Sequence, residues 1–405
     1  MPIHIALSFF FGKRYNDRKM GGGKTLDKRV YMLTTIAFIV GMVELIIGGI
    51  LDLVAYDLGV TVGRAGLLIT IFALVFGISG PVLLFLIGEA DRKRVTIGAL
   101  FVFLIGNILA VFSHTYYLLL IARIISAASG ALLTVLSLTL AANISKPDYR
   151  GRAIGLVVMG ISGSIVLGLP IGVSMGHAFG WRSPFLLISI LTILLMIGVS
   201  IFFGKVRTNP PVSLKKQIQA LRDKKIITAH LTTFFFLAGH FVLYGFLTPF
   251  VITTMDFDGT LITIVYFVFG AAAVSGGGLA GWSADKFGTR RTLLTVIVLL
   301  IASLLVIPYT PALLFWIVLV VWGILSWGIT PPIQSHLVQL APETSDIQQS
   351  LNNAALHLGI ALGTFVGSFV VDEFSIKLNP IVGACFVVIS LGTALVSLQR
   401  EREVV

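Results

Sequence analysis

Residues Phe38–Leu51 read F-I-V-G-M-V-E-L-I-I-G-G-I-L, an apolar run carrying a single carboxylate, Glu44. Extended upstream to about residue 30, the run is long enough to cross a hydrocarbon core of about 30 Å at about 1.5 Å per residue. An ionised side chain at that depth costs roughly 3 kcal/mol or more, so a carboxylate there marks function. Glu44 is the one acidic residue well inside any hydrophobic segment of the chain, which makes it a candidate proton-binding group.

The rest of the chain matches this beginning. Of its 405 residues 57% are hydrophobic and only 12% charged, with a mean hydropathy of +1.00. Soluble domains carry about 25% charge, so the composition excludes a soluble enzyme and defines an all-α membrane protein. Twelve spans follow, at approximately 30–51, 65–88, 95–112, 116–141, 151–175, 184–204, 226–250, 260–282, 292–309, 312–338, 348–371 and 379–398.

The net charge of +11 is explained by where the basic residues fall, without nucleic acid as a partner. Alternate connections, with the N- and C-terminal tails, hold 25 of the 29 Lys and Arg residues. Basic loops stay in the cytoplasm, which places both termini there and the chain in the cell membrane. The exceptions are Arg64, Arg182, Lys377 and, inside a span, Arg123. The single cysteine, Cys385, excludes an intramolecular disulfide or a cysteine metal cluster. No cofactor or metal is expected. Residues 1–29 form a basic tail without the order of a cleaved signal peptide, and Met20 is an alternative initiator. Gly23-Lys24-Thr25 lacks the first glycine of a phosphate-binding loop, which disfavours ATP-driven work.

The polar loop 205–225, containing Asn209-Pro210-Pro211, divides the chain near its middle. Asp91-Arg-Lys-Arg94 follows the second span and Gly288-Thr-Arg-Arg291 follows the eighth, so a basic turn recurs across the divide. The expected organisation is a tail (1–29), a six-helix half (30–204), the central loop (205–225), a second six-helix half (226–398) and a tail (399–405). Parallel repeats of this kind bind their substrate between the halves, near the midplane.

Gly281-Trp-Ser-Ala-Asp285-Lys-Phe-Gly288-Thr-Arg290-Arg291 fits G-x-x-x-D-[RK]-x-G-x-[RK]-[RK] at every fixed place. Gly288 suits a tight turn and Gly281 a close helix approach, while Asp285 and the basic pair Arg290 and Arg291 sit at the water boundary. The first copy is degraded, with Leu84 and Gly88 at the first glycine and aspartate places and Asp91 at the second glycine place. Span five carries Gly160-Ile-Ser-Gly163-Ser-Ile-Val-Leu-Gly168-Leu-Pro170-Ile-Gly172. Its glycines thin one helix face so that a neighbour can move against it, and Pro170 opens the backbone ladder. Arg123, inside span four, needs a carboxylate such as Glu44 or a cavity, or is a structural arginine bonded to carbonyls. Among the polar residues within spans, His240 and Tyr244 share a helix face, and Asn352 and Asn353 open the eleventh span. With Trp327 and Gln334 they form a candidate site for a flat, neutral, hydrogen-bonding ring.

The 281–291 turn resembles the signature of the major facilitator superfamily, where it secures the inner gate. Arg123 and the Gly163, Gly168, Pro170, Gly172 series resemble the fourth- and fifth-helix motifs of its drug:proton antiporters. Residues 43–51, 101–107, 237–244, 322–327 and above all 345–363 resemble the purine base and nucleoside efflux pumps of that twelve-helix branch. The resemblance implies a major facilitator fold that exports purine bases or ribonucleosides against protons, with Glu44 and Arg123 as coupling residues. Two departures stand out. Asp52 replaces a proline after span one, and His357 replaces a glutamine. Sugar or multidrug efflux is the alternative within the superfamily, and a non-transporting receptor or regulator is the alternative of another class.

Overall fold

The computed structural model describes residues 27–88, 90–204 and 223–399. Most of the basic tail, most of the central loop and the last basic residues lie outside that range. Within it the chain forms twelve helices long and apolar enough to cross a membrane. They are α1 (Lys28–Gly49), α2 (Val62–Ile87), α3 (Arg92–Val111), α4 (Tyr116–Ile144), α5 (Arg150–Phe179) and α6 (Ser183–Phe202). The second six are α7 (Lys224–Tyr244), α8 (Gly259–Phe287), α9 (Thr289–Tyr309), α10 (Ala312–Leu340), α11 (Ser345–Glu373) and α12 (Asn379–Ser397). The spans expected from the sequence match in number and order.

Polar caps start several of these helices in chain that is otherwise apolar. The Asp27, Asp91, Thr115, Asp223 and Asp258 side chains each accept a backbone N–H of the following turn. α1 breaks at Ile50 and resumes as Leu51–Asp57, and α7 likewise breaks and resumes as Leu247–Met255. In α5 a π turn spans Ser164–Gly168, two residues before Pro170, whose missing N–H cannot continue the ladder. Gly288 separates α8 from α9 at φ 89°, a backbone region open to glycine and costly for other residues.

The first six helices pack mainly on one another, as do the last six, and α2 on α11 with α5 on α8 joins the two groups. One apolar core is confined to residues 30–203. The other runs from Ile46 and Ile50 through Tyr244, Phe246 and Phe250 and so crosses the boundary. That crossing lies away from the end holding Lys28 and Ser397. The closed seam is therefore at the far end of the bundle.

Candidate functional site

Glu44 lies on α1 where the two groups of helices meet. Its carboxylate faces a narrow cavity lined by Phe72 of α2, Phe241 and Tyr244 of α7, and Tyr266 of α8. In this closed arrangement the cavity has room for about one water molecule. Glu44 Oε1 lies 3.2 Å from Nε2 of His357 on α11, so the acid of the first group pairs with an imidazole of the second.

Arg123 of α4 is fully buried behind α1. It donates to the carbonyl oxygens of Val43, at 2.6 Å, and Glu44, at 3.3 Å, rather than to the Glu44 carboxylate. Its guanidinium also sits 4.0 Å from the Phe72 ring centroid, a cation–π contact in a dry interior. Of the two roles open for Arg123, the carbonyl-bonded one is present here. It fixes the backbone that carries Glu44.

The glycine face of α5 packs on this same helix. Gly168 and Gly172 receive Met42 and Ile46 of α1, and Gly163 receives Phe38. Buried Pro170 and the π turn lie beside that contact. The Gly163, Gly168, Pro170, Gly172 series thus shapes the bed of the Glu44 helix.

The predicted substrate residues do not converge on one cavity, although His240 and Tyr244 are in contact. Tyr244 lines the Glu44 cavity. His240 is buried behind it, stacked on Tyr244 with centroids 5.1 Å apart, and its Nδ1 accepts Trp322 Nε1–H at 3.1 Å. Asn352 is buried and accepts from Thr233 Oγ1 at 2.7 Å. Asn353 instead lines a second, somewhat wider cavity nearer the terminus end, with Phe76, Thr134 and Ser350. Trp327 is half-buried against the crossing core, and Gln334 is exposed on α10, away from both cavities.

The structure adds residues that the sequence left unmarked. Thr248 Oγ1 donates to Gly49 O at 3.2 Å and Tyr266 Oη to Gly48 O at 3.0 Å, tying the second group to the break in α1. Thr70 of α2 pairs with Thr364 of α11 at 2.9 Å. At the far rim Asp372 of α11 accepts from the Gly63 N–H at 2.8 Å and the Thr61 hydroxyl at 2.7 Å. A lone Tyr or Thr in an apolar span carries no sequence signal of its own. Asp372, at a span end, could have been marked as a capping acid.

At the terminus end the 281–291 turn is open. Asp285, Gly288, Arg290 and Arg291 are exposed, and Gly281 approaches Pro331 of α10. Among the described residues Asp285 has no ion pair. Every hydrogen bond described between the first six and last six helices lies at or beyond the Glu44–His357 contact, toward the far end.

Two groups of six helices, a carboxyl–imidazole contact between them and a seam closed at one end define a polytopic membrane transporter. The sequence profile of the Major Facilitator Superfamily matches residues 33–364, and the chain belongs to that superfamily. It is 34% identical to the uncharacterized transporter YbcL of Bacillus subtilis (strain 168), over 91% of this chain and 95% of that one. It is 26% identical to a probable sugar efflux transporter of Pasteurella multocida (strain Pm70), over 90% of each chain. It is also 26% identical to the inner membrane transport protein YdhP of Escherichia coli (strain K12), over 91% of this chain and 95% of that one. A solved structure of a bacterial homolog of the human lysosomal transporter Spinster, inward-facing and occupied, superposes with a TM-score of 0.79. It is 15% identical and covers 93% of this chain and 97% of its own, a likeness of fold.

Proposed function

We propose that this transporter exports purine bases or ribonucleosides from the cell in exchange for protons, by alternating access between its two halves. The observation that carries this reading is Glu44, a carboxylate at the interface of the halves in a cavity walled by Phe72, Phe241, Tyr244 and Tyr266. Aromatic faces and neutral polar groups suit a flat heterocycle, and the second cavity offers Phe76 with Thr134, Ser350 and Asn353. Glu44 binds a proton from one side and releases it to the other, so each protonation state favours a different access state. In this reading the basic tails and loops face the cytoplasm of the cell membrane, and the sealed far end faces outward.

Sugar efflux is the second reading, favoured by the relatives named as probable sugar efflux transporters. Proteoliposomes loaded with radiolabelled hypoxanthine or adenine and given a pH gradient separate the two. Gradient-driven purine flux that disappears in Glu44→Gln is the expected result. Flux of a sugar but no purine sinks the purine assignment, and full flux in Glu44→Gln sinks the coupling role of Glu44.

A further inference from the structure

His357 is buried on α11, and its ring stacks on Phe76 of α2, with centroids 4.4 Å apart and planes 22° apart. Its two nitrogens face two different oxygens. Nδ1 lies 2.8 Å from the Asn353 carbonyl oxygen, and Nε2 lies 3.2 Å from Glu44 Oε1. A carbonyl oxygen only accepts, so Nδ1 must carry a hydrogen. The contact with Glu44 then depends on one further proton. Either Nε2 carries it, giving an imidazolium beside a carboxylate, or the carboxyl carries it and donates to Nε2. With neither, a nitrogen lone pair would face a carboxylate oxygen, and two acceptors cannot bond.

The geometry points to Glu44 and His357 as one shared proton site, complete only while the halves are closed over it, so that losing its proton loosens the closure. This shared site presupposes Glu44 as the proton carrier and adds the residue that holds the proton with it. It also supplies the mechanical step. The bond spans α1 and α11, so its proton-dependent strength bears directly on the seam.

This pair supplies the carboxyl and the imidazole at the cavity, while Asp52, beyond the α1 break near Tyr266, and His177 of α5, against Gly259 of α8, lie farther toward the far end. From α4, Arg123 bonds to the Val43 and Glu44 carbonyls. α7 and α8 contribute Tyr244 and Tyr266 to the cavity, and α2 contributes the rings of Phe72 and Phe76 and the bare backbone of Gly77. His230 and His240 of α7 are engaged elsewhere, with Gln348 and Trp322. Arginine and tyrosine side chains keep their protons through the neutral range.

The test needs no substrate. Spin labels at Tyr56→Cys and Phe374→Cys, both exposed at the far end and on opposite sides of the seam, are placed in a Cys385→Ser background in lipid nanodiscs. Raising the pH from about 5 to about 9 should lengthen the label-to-label distance in the parent protein. In His357→Gln, whose amide donates to the carboxylate without titrating, the distance should no longer respond. Nitrogen NMR of His357 supplies a check independent of any variant, with Nδ1 protonated across the whole range. A parent-like pH response in His357→Gln, or an unprotonated Nδ1 at neutral pH, overturns the shared site. If Glu44→Gln abolishes gradient-driven flux while His357→Gln retains the parent response, Glu44 stands as the carrier and the shared site falls. If Glu44→Gln keeps full flux, both fall.

Discussion

At the far end of the bundle the Asp372 carboxylate of α11 caps the start of α2, taking the Gly63 N–H and the Thr61 hydroxyl. At the terminus end Asp285 sits in a turn with Lys286, Arg290 and Arg291, exposed and without an ion pair among the described residues. Each acid stands near the C-terminal end of a helix, Asp372 in V-V-D-E-F and Asp285 in S-A-D-K-F. Only one is engaged. A carboxylate at a helix N-terminus meets unsatisfied N–H groups and a favourable dipole, so joining two mobile bodies there makes a reversible seal. A transporter that alternates needs such a seal at one end at a time, and this structure shows the far one made.

The largest way to break that contrast is Gly63→Ala. A Cβ at Gly63 would collide with the Asp372 carboxyl and the Ser368 carbonyl, so α2 and α11 must separate. Overpacking of this kind costs roughly 1–3 kcal/mol, which predicts a rise in far-end opening of about fivefold to about 150-fold. A cysteine placed at Thr364, fully buried here, should then react correspondingly faster with a membrane-impermeant thiol reagent in a Cys385→Ser background. Unchanged labelling would mean that Gly63 and Asp372 do not hold the seal.

A smaller effect separates stability from sealing at the same end. Trp181 and Arg182 both donate to Asp57, within the first six helices. The Trp181 indole N–H, followed by Arg182, holds the Asp57 carboxyl below the usual carboxylate range. Because the folded value is depressed, this stabilisation is present above the ordinary value, about 3.9, and disappears as pH falls through the lowered one. Asp57→Asn should lower the melting temperature at neutral pH, and its deficit against the parent should shrink in strong acid. Labelling at Thr364 should stay as in the parent, since the pair does not cross between the two groups.

The smallest expected effect sharpens the contrast from the other end. Asp285→Asn should leave thermal stability within about 0.5 kcal/mol and far-end labelling unchanged, as for an exposed residue without partners. Transport should nonetheless slow if the 281–291 turn closes the opposite state. A clear loss of stability would show that the turn is engaged here.

How legible this was from the sequence differs by level. Glu44 stood out at once, because an acid inside a span is too costly to persist there without a task. The carbonyl-bonded role of Arg123 was one of two that its position allowed. The polar set was read less well. Tyr244 and Asn353 line cavities, whereas Gln334 is exposed and His240 supports Tyr244 from behind. The cause is physical. Lipid is as apolar as a protein core, so hydrophobic periodicity does not tell which face of a membrane helix points inward.

The sequence by itself determined the twelve helices, the superfamily and the acid on α1, because the length of hydrocarbon to be crossed and the cost of burying charge act on each segment locally. Only the tertiary structure decided that Glu44 meets His357, that Asp372 rather than Asp285 is engaged, and that the far end is shut. Those are pairings between helices distant in the chain. They depend on how the two groups of helices lean together, a choice that no single span records.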